Sequence, residues 1–355
     1  MKTTSVVLLI FVCLMACTSK KSGEYPQNGK ISAVPDTSEM TNNFYDNTET
    51  FPLPLTELTV EGEVENPGSV DFSSLPLRSV IVKEALPDGK GGDRFIGAYR
   101  YDGYSLFDIL ENCVPAKVNS SEFSPIIDLY IEIENISGEK TVFSWAEIYY
   151  PVTLHRIIIA NSVSRIVPSR TKDQWPLPVT SKLVAGNDLL SSRNISDPVK
   201  ITVRSLKRSY KVVQGMSPMY SPSIELYNAD SLISQVTPML DRGVVTYGTV
   251  FYGRGRGIHS TTPFTGVPLK NVLSDYYPFT EKRLKEGMFA FAGKDGYRCA
   301  VSYSELFNRN DQQEFLLVRT EPDEDGGLFR VFPASDFFSD RAIKSLSRID
   351  LLPPV

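Results

Sequence analysis

Gly253-Arg254-Gly255-Arg256-Gly257-Ile258-His259 is the stretch of this chain best equipped to do chemistry. Its glycines let backbone amides approach an anion closely, and its two guanidinium groups can neutralise that anion. The preceding run from Val244 to Tyr252 reads as a strand, which places the loop at a strand end. It is not a dinucleotide fingerprint, because the third glycine is missing and Ser-Thr-Thr-Pro follows instead of a helix. Gly253, Arg254, Arg256 and His259 are therefore the candidate ligand- or cofactor-binding residues. The alternative is a solvated hairpin loop.

Other chemistries find less support. Neither His155 nor His259 has a second histidine or cysteine at ligand spacing, which excludes a familiar zinc constellation. No Gly-x-Ser-x-Gly occurs, so an esterase elbow is not expected. Carboxylates paired from distant parts of the chain stay open. Beyond the leader, Cys113 and Cys299 are expected as buried free thiols, although an oxidising compartment would permit a disulfide.

The elements that must position these residues come in two copies. Tyr101-Asp-Gly103-Tyr-Ser-Leu106-Phe-Asp-Ile109-Leu110 returns as Phe264-Thr-Gly266-Val-Pro-Leu269-Lys-Asn-Val272-Leu273. Ser144-Trp-Ala-Glu147 returns as Ser302-Tyr-Ser-Glu305, and Asp188-Leu-Leu-Ser-Ser-Arg193 as Asp336-Phe-Phe-Ser-Asp-Arg341. Three blocks repeated in order indicate an internal duplication. Ser144 with Glu147, and Ser302 with Glu305, read as capping boxes with a structural role. The first copy also has a loop before its Tyr101 block, but Asp88 and Asp93 offset Lys90 and Arg94 there. If one copy keeps a site, it is the second.

Val6 to Ala16 is an apolar run too short for a bilayer span of about 20 residues, and Lys2 precedes it. It reads as a signal peptide over residues 1–16. Leu14-Met15-Ala16-Cys17 resembles a bacterial lipoprotein box, which implies lipidation at Cys17; an ordinary signal peptide cut elsewhere is the alternative. Acyl chains there would anchor the protein to a membrane surface rather than span it. Residues 17–50, rich in Ser, Thr, Asn and Lys, read as a flexible tether. The formal net charge of −5 argues against nucleic acid as a partner. The basic cluster Arg204, Lys207, Arg208 and Lys211 reads as a solvated linker face. A hydrophobic fraction of 41% is enough for real cores.

Expected strands are Leu58–Val64, Ser79–Ala85, Leu129–Ile133, Arg156–Asn161, Val199–Val203, Phe315–Val318 and Ile349–Leu351, with a hairpin over Phe289–Val301. Short helices are expected from Leu106 and from Leu269. These elements predict an α+β fold, mixed β-sheets with short helices. The first domain spans 51–206, residues 207–243 hold the linker and start of the second copy, and the second domain spans 244–355.

Leu58-Thr-Val-Glu-Gly62-Glu-Val-Glu-Asn66-Pro67, the Tyr101 block and Leu183-Val-Ala-Gly186-Asn-Asp188 with Arg193 resemble the sulfite oxidase family's molybdopterin-binding domain. Gly253, Arg256, the Phe264 block and the segment from Arg341 to Leu351 carry the resemblance in the second copy. It implies two tandem sulfite-oxidase-like domains and a family chemistry at molybdenum held by a pterin dithiolene and one cysteine thiolate. That cysteine falls at or beside Phe251 in the second copy and near Lys83 in the first. Neither side chain can replace a soft thiolate donor.

The expectation is thus a lipid-anchored protein of the bacterial cell envelope, periplasmic or surface-facing. It would bind a small anion or a protein partner without catalysis and without a cofactor. Tyr149, Tyr150, Tyr252 and Phe264 could line its pocket or interface. The alternatives are a molybdopterin-dependent oxidoreductase with atypical ligation, acting on a small oxo compound, and a structural envelope protein whose copies pack on each other.

Overall fold

Many segments of this chain are rich in β-branched and aromatic residues, and in the computed structural model these segments become strands. The structure describes residues 48–168, 170–238, 243–321 and 327–352. Cys17, the signal peptide and almost all of the tether lie outside them.

The first copy comprises β1 (Thr50–Pro52), β2 (Thr59–Gly62), β3 (Gly68–Ser69), β4 (Arg78–Pro87), β5 (Asp93–Ser105) and α1 (Leu106–Leu110). It continues with β6 (Leu129–Asn135), β7 (Lys140–Ser144), α2 (Trp145–Tyr149), β8 (Ile157–Arg165), β9 (Lys182–Ala185) and β10 (Pro198–Ser205). The second copy begins with β11 (Ile224–Asn228), β12 (Ser231–Val236), β13 (Val245–Tyr247), β14 (Phe251–Gly253), β15 (Gly257–Ser260), β16 (Phe264–Pro268) and α3 (Leu269–Leu273). It ends with α4 (Glu281–Glu286), β17 (Met288–Gly293), β18 (Arg298–Ser302), α5 (Tyr303–Phe307), β19 (Phe315–Arg319), β20 (Phe329–Pro333) and β21 (Leu346–Leu351).

Among the described residues, these strands build four small sheets and a two-stranded ribbon. The sheets run β1-β8-β5-β4 with β9 on β8, β3-β2-β10-β6-β7, β12-β11-β21-β17-β18 and β13-β16-β19-β20, and the ribbon is β14-β15. The repeat is visible in the pairing. β10 lies parallel to β2 and antiparallel to β6, which pairs with β7. β21 lies parallel to β11 and antiparallel to β17, which pairs with β18.

The expected α+β class of two tandem sulfite-oxidase-like domains does not hold. Strands take 42% of the residues and helices 13%, and the small sheets form a ring in the manner of a four-bladed β-propeller. The capping box read at Ser302 and Glu305 is complete. At Ser144 only the serine half forms, because the Glu147 carboxylate turns to Arg193 and Ser302. Ser105 caps its helix in the same way, by accepting from the amide three residues on. Each helix they start nevertheless stops after five residues, so capping marks a corner between strands rather than a helical layer. Each copy has core clusters of its own, but one large cluster is shared. Phe123, Ile127 and Ala146 of the first pack into one cluster with Leu226, Phe289 and Phe291 of the second. Each fully buried side chain of this size contributes roughly 1.5–3 kcal/mol.

A buried ionic network sits where the copies meet. Arg193 donates to Asp188 (2.8 and 2.6 Å) and to Glu147 (3.1 and 2.5 Å). Arg341 donates to Asp336 (2.8 and 2.7 Å), and its Nη2 lies 2.5 Å from Glu305. Both arginines are fully buried. Neighbouring carboxylates offset the desolvation of each guanidinium and hold it charged.

The cluster between the copies is not a free solvated face. Arg208 reaches Asp230 (2.6 Å) and Asp350 (3.3 Å), and Arg204 lies 3.7 Å from Glu132.

Candidate functional site

The two copies differ most in one hairpin. In the first, β4 and β5 pair from Arg78↔Gly103 to Pro87↔Asp93 with one bulge, and β5 runs on along β8 from Tyr99↔Arg165 to Ser105↔Ile158. Tyr99, Tyr101, Val80 and Val163 fill the space beside it. In the second, the counterpart hairpin breaks into β13 on β16 and β14 on β15, where the sequence predicted one strand over Val244–Tyr252. β16 then meets β19 only at Val267↔Leu317 and Pro268↔Leu316. Residues 248–250 and 261–263 connect the pieces without pairing. Pro263 has no N–H to give a ladder, and Gly248 has no side chain to pack.

The splayed β14–β15 hairpin leaves cavities on both faces. Tyr252 alternates with Phe251 and Gly253 and so points the other way. On its side a cavity of about 570 Å³ is lined by Tyr247, Val250, Phe332 and Phe337. On the inner face lie two chambers of about 450 and 400 Å³, which share His259, Ser339, Ala342 and Lys344 as a common wall.

All four sequence-predicted residues line the 450 Å³ chamber. A Cβ on Gly253 would sit 2.2 Å from Nε2 of His259, so the ring's position depends on glycine there. Gly257 turns the hairpin with a φ of +72°, a left-handed conformation that favours glycine. Arg254 lies 3.3 Å from Asp340 and is 48% exposed, so it can leave that partner at little cost. Arg256 is exposed and forms no ion pair with a described residue. Asp295 and Tyr297 complete the wall. The Tyr297 hydroxyl donates to the Asp340 carbonyl at 2.9 Å, and burial holds its phenol well above the usual range, so it stays neutral.

Sequence reasoning missed Arg330, Ser339 and Lys344. Arg330 stands on β20, unrecognised because Phe329–Pro333 is short; its guanidinium lies 4.9 Å from the ring of Phe251 and 5.4 Å from that of Phe264. Phe264 stacks on Phe332 at 4.4 Å. Of the aromatics singled out, Tyr252 and Phe264 line cavities, whereas Tyr149 stacks on Trp145 and Tyr150 is buried.

The residues present do not fit a molybdenum centre of the sulfite oxidase type. Phe251, at the position of the expected thiolate, is 8% exposed and packs among Phe264, Phe332 and Leu316. Lys83 is an exposed residue of β4. Cys113 and Cys299 are free and buried in other elements. Burial raises both thiols above their ordinary value. No group of three or more His, Cys, Asp or Glu among the described residues could hold a metal.

His155 belongs to a separate cluster. Its Nδ1 lies 3.1 Å from Ser105 Oγ and 3.4 Å from Asp108. Ser105 also donates directly to Asp108 at 2.6 Å, so all three meet at one nitrogen and no proton relay forms. Arg78 closes the cluster on Asp108 at 2.8 and 3.0 Å. This is a helix cap rather than a triad. Neither the family models nor the curated proteins compared with the chain match it.

Proposed function

We propose that the protein binds a small anionic ligand in the inner cleft of the β14–β15 hairpin, without catalysis, while Cys17 holds it to the cell envelope. One observation carries this reading: the hairpin that is closed and filled in the first copy is splayed in the second, and cations line the opening. Among the described residues, Arg254 and Arg256 bring two guanidiniums to the opening, and Arg254 engages Asp340 there. Two exposed guanidiniums at the opening favour an anion over a cation. The redox alternative needs a soft donor where Phe251 stands.

Charge reversal of Arg254→Glu and Arg256→Glu tests the reading by titration calorimetry with inorganic phosphate at low salt. Affinity should fall about tenfold or more, with the melting temperature nearly unchanged because both side chains are largely solvated. Unchanged affinity would leave the hairpin a structural loop. The anchor is tested separately: Cys17→Ser should abolish palmitate labelling and release the protein from the membrane fraction.

A further inference from the structure

The described chain begins beside an exposed aromatic pair. Phe51 of β1 and Trp175, in the loop between β8 and β9, pack on the same core cluster of Val80, Tyr99 and Val163. Arg165 ties them together: its Nε donates to the Trp175 carbonyl, and its guanidinium lies 5.6 Å from the Phe51 ring. The indole meets the ring of Phe95 on β5 edge to face, with centroids 5.1 Å apart. Phe95 is 48% exposed, and Val179 in the Trp175 loop is 81% exposed. We infer that this face rests on the membrane that holds Cys17, with Phe95, Trp175 and Val179 in the lipid interface. This rests on the proposed lipidation at Cys17 and is independent of the anion cleft.

Where the chain is held decides the occupant. Residues 18–47 link Cys17 to Thr48, at most about 100 Å of extended chain. An anchored protein therefore meets the bilayer at high effective concentration, and a small apolar gain suffices to dock it. Because Phe51 already lies beside the indole, docking here needs no chain to pass round the protein. Indole rings favour the membrane–water interface, provided that the N–H keeps a partner. Trp175 Nε1 donates to the Ile166 carbonyl at 3.0 Å, so the ring can enter lipid without losing that bond. The two prolines of Trp175-Pro176-Leu177-Pro178-Val179 fix φ and limit the ordering the loop must undergo. Arg94, Arg170 and Lys172 stand in the same two segments as Asp93 and Asp173, so the charge is mixed and the contact is apolar.

Fluorescence of the full-length lipidated chain, reconstituted into vesicles of phosphatidylethanolamine and phosphatidylglycerol, tests this. The chain has two tryptophans; Trp145 is buried in the core, and Trp175 reports on the face. Brominating the acyl chains next to the headgroups should cut the emission about twofold, because bromine quenches only an indole that it touches. Trp175→Phe should abolish that quenching. Phe95→Asp combined with Val179→Asp, both at exposed positions, should abolish it too, while the protein still floats with the vesicles. Raised salt should leave the quenching unchanged, as the contact is apolar. Protein that floats with its emission unquenched would overturn the inference and leave the anchor standing. Acrylamide then separates a face open to water, which it quenches, from one covered by a second copy, and either result overturns the inference. Protein that fails to float would overturn the anchor and the inference together.

Discussion

Ser144 Oγ donates a hydrogen bond across the molecule to Glu305 Oε2 at 2.9 Å, and Ser302 Oγ donates to Glu147 Oε2 at the same distance. Each hydroxyl also accepts from its own helix, Ser144 from the Glu147 amide and Ser302 from the Glu305 amide. Each accepts again from the other copy's arginine, Arg341 or Arg193, at 3.3 Å. A serine hydroxyl has one donor and two acceptor positions, so both are fully used. Glu305 thus caps its own helix and binds the other copy, while Glu147 serves only the bond between the copies and the buried arginine.

Removing one member should therefore cost more than an ordinary cap. Ser302→Ala should destabilise by about 1–3 kcal/mol, since it takes one hydrogen bond each from Glu147 and Arg193 and leaves the Glu305 amide uncapped. Arg341→Met should cost about 3–5 kcal/mol by leaving Asp336 and Glu305 buried without their cation. Urea unfolding measures both. A Ser144→Ala, Glu305→Gln double-mutant cycle should give a coupling of about 0.5–3 kcal/mol, and additivity would contradict the cross-copy link.

Gly253→Ala should act on binding rather than folding. The added methyl must expel the imidazole of His259, an exposed group that can move, so stability should change by less than about 1 kcal/mol. Phosphate affinity should drop nonetheless. Retained affinity would remove His259 from the site.

Cys299 is wholly inaccessible and Cys113 nearly so, and burial favours the neutral thiol in both. Thiolate is the reactive form, so both should resist alkylation in the folded protein and label on unfolding. Peptide mass mapping after iodoacetamide treatment with and without urea checks this. Rapid native labelling of Cys299 would contradict the core assignment.

Burial opposes ionisation of Asp108, but hydrogen bonds from Arg78 and Ser105 outweigh it and hold its carboxyl below the ordinary 3.8. A depressed folded value means that its stabilisation is present above that pH and lost as pH falls through the folded value. Asp108→Asn should cost about 1–2 kcal/mol at pH 7, and the gap to wild type should close below about pH 4. Burial also lowers the imidazole of His155, which keeps it neutral at pH 7. Thermal unfolding across pH 3–8 measures the gap; a constant gap would mean that Asp108 ionisation contributes nothing.

The repeat, the caps and the Gly253–His259 loop were legible in the sequence because each is a local pattern. The α+β class was misread because a capping serine shows where a helix starts and not that it ends five residues later. Lys344 and Arg330 were invisible because the chambers arise only when the hairpin parts from β19, a consequence of pairing between distant strands. Ser144 and Glu305 were each recognised with their local partners, Glu147 and Ser302, but their bond to each other was not: cross-copy contacts leave no spacing to read.

Anomalous diffraction from crystals grown in selenate would address the cleft directly. Binding at the splayed hairpin predicts a selenium peak beside Lys344, Arg330 or His259, and none beside the β4–β5 hairpin of the first copy. An empty cleft alongside selenate bound elsewhere would contradict the account.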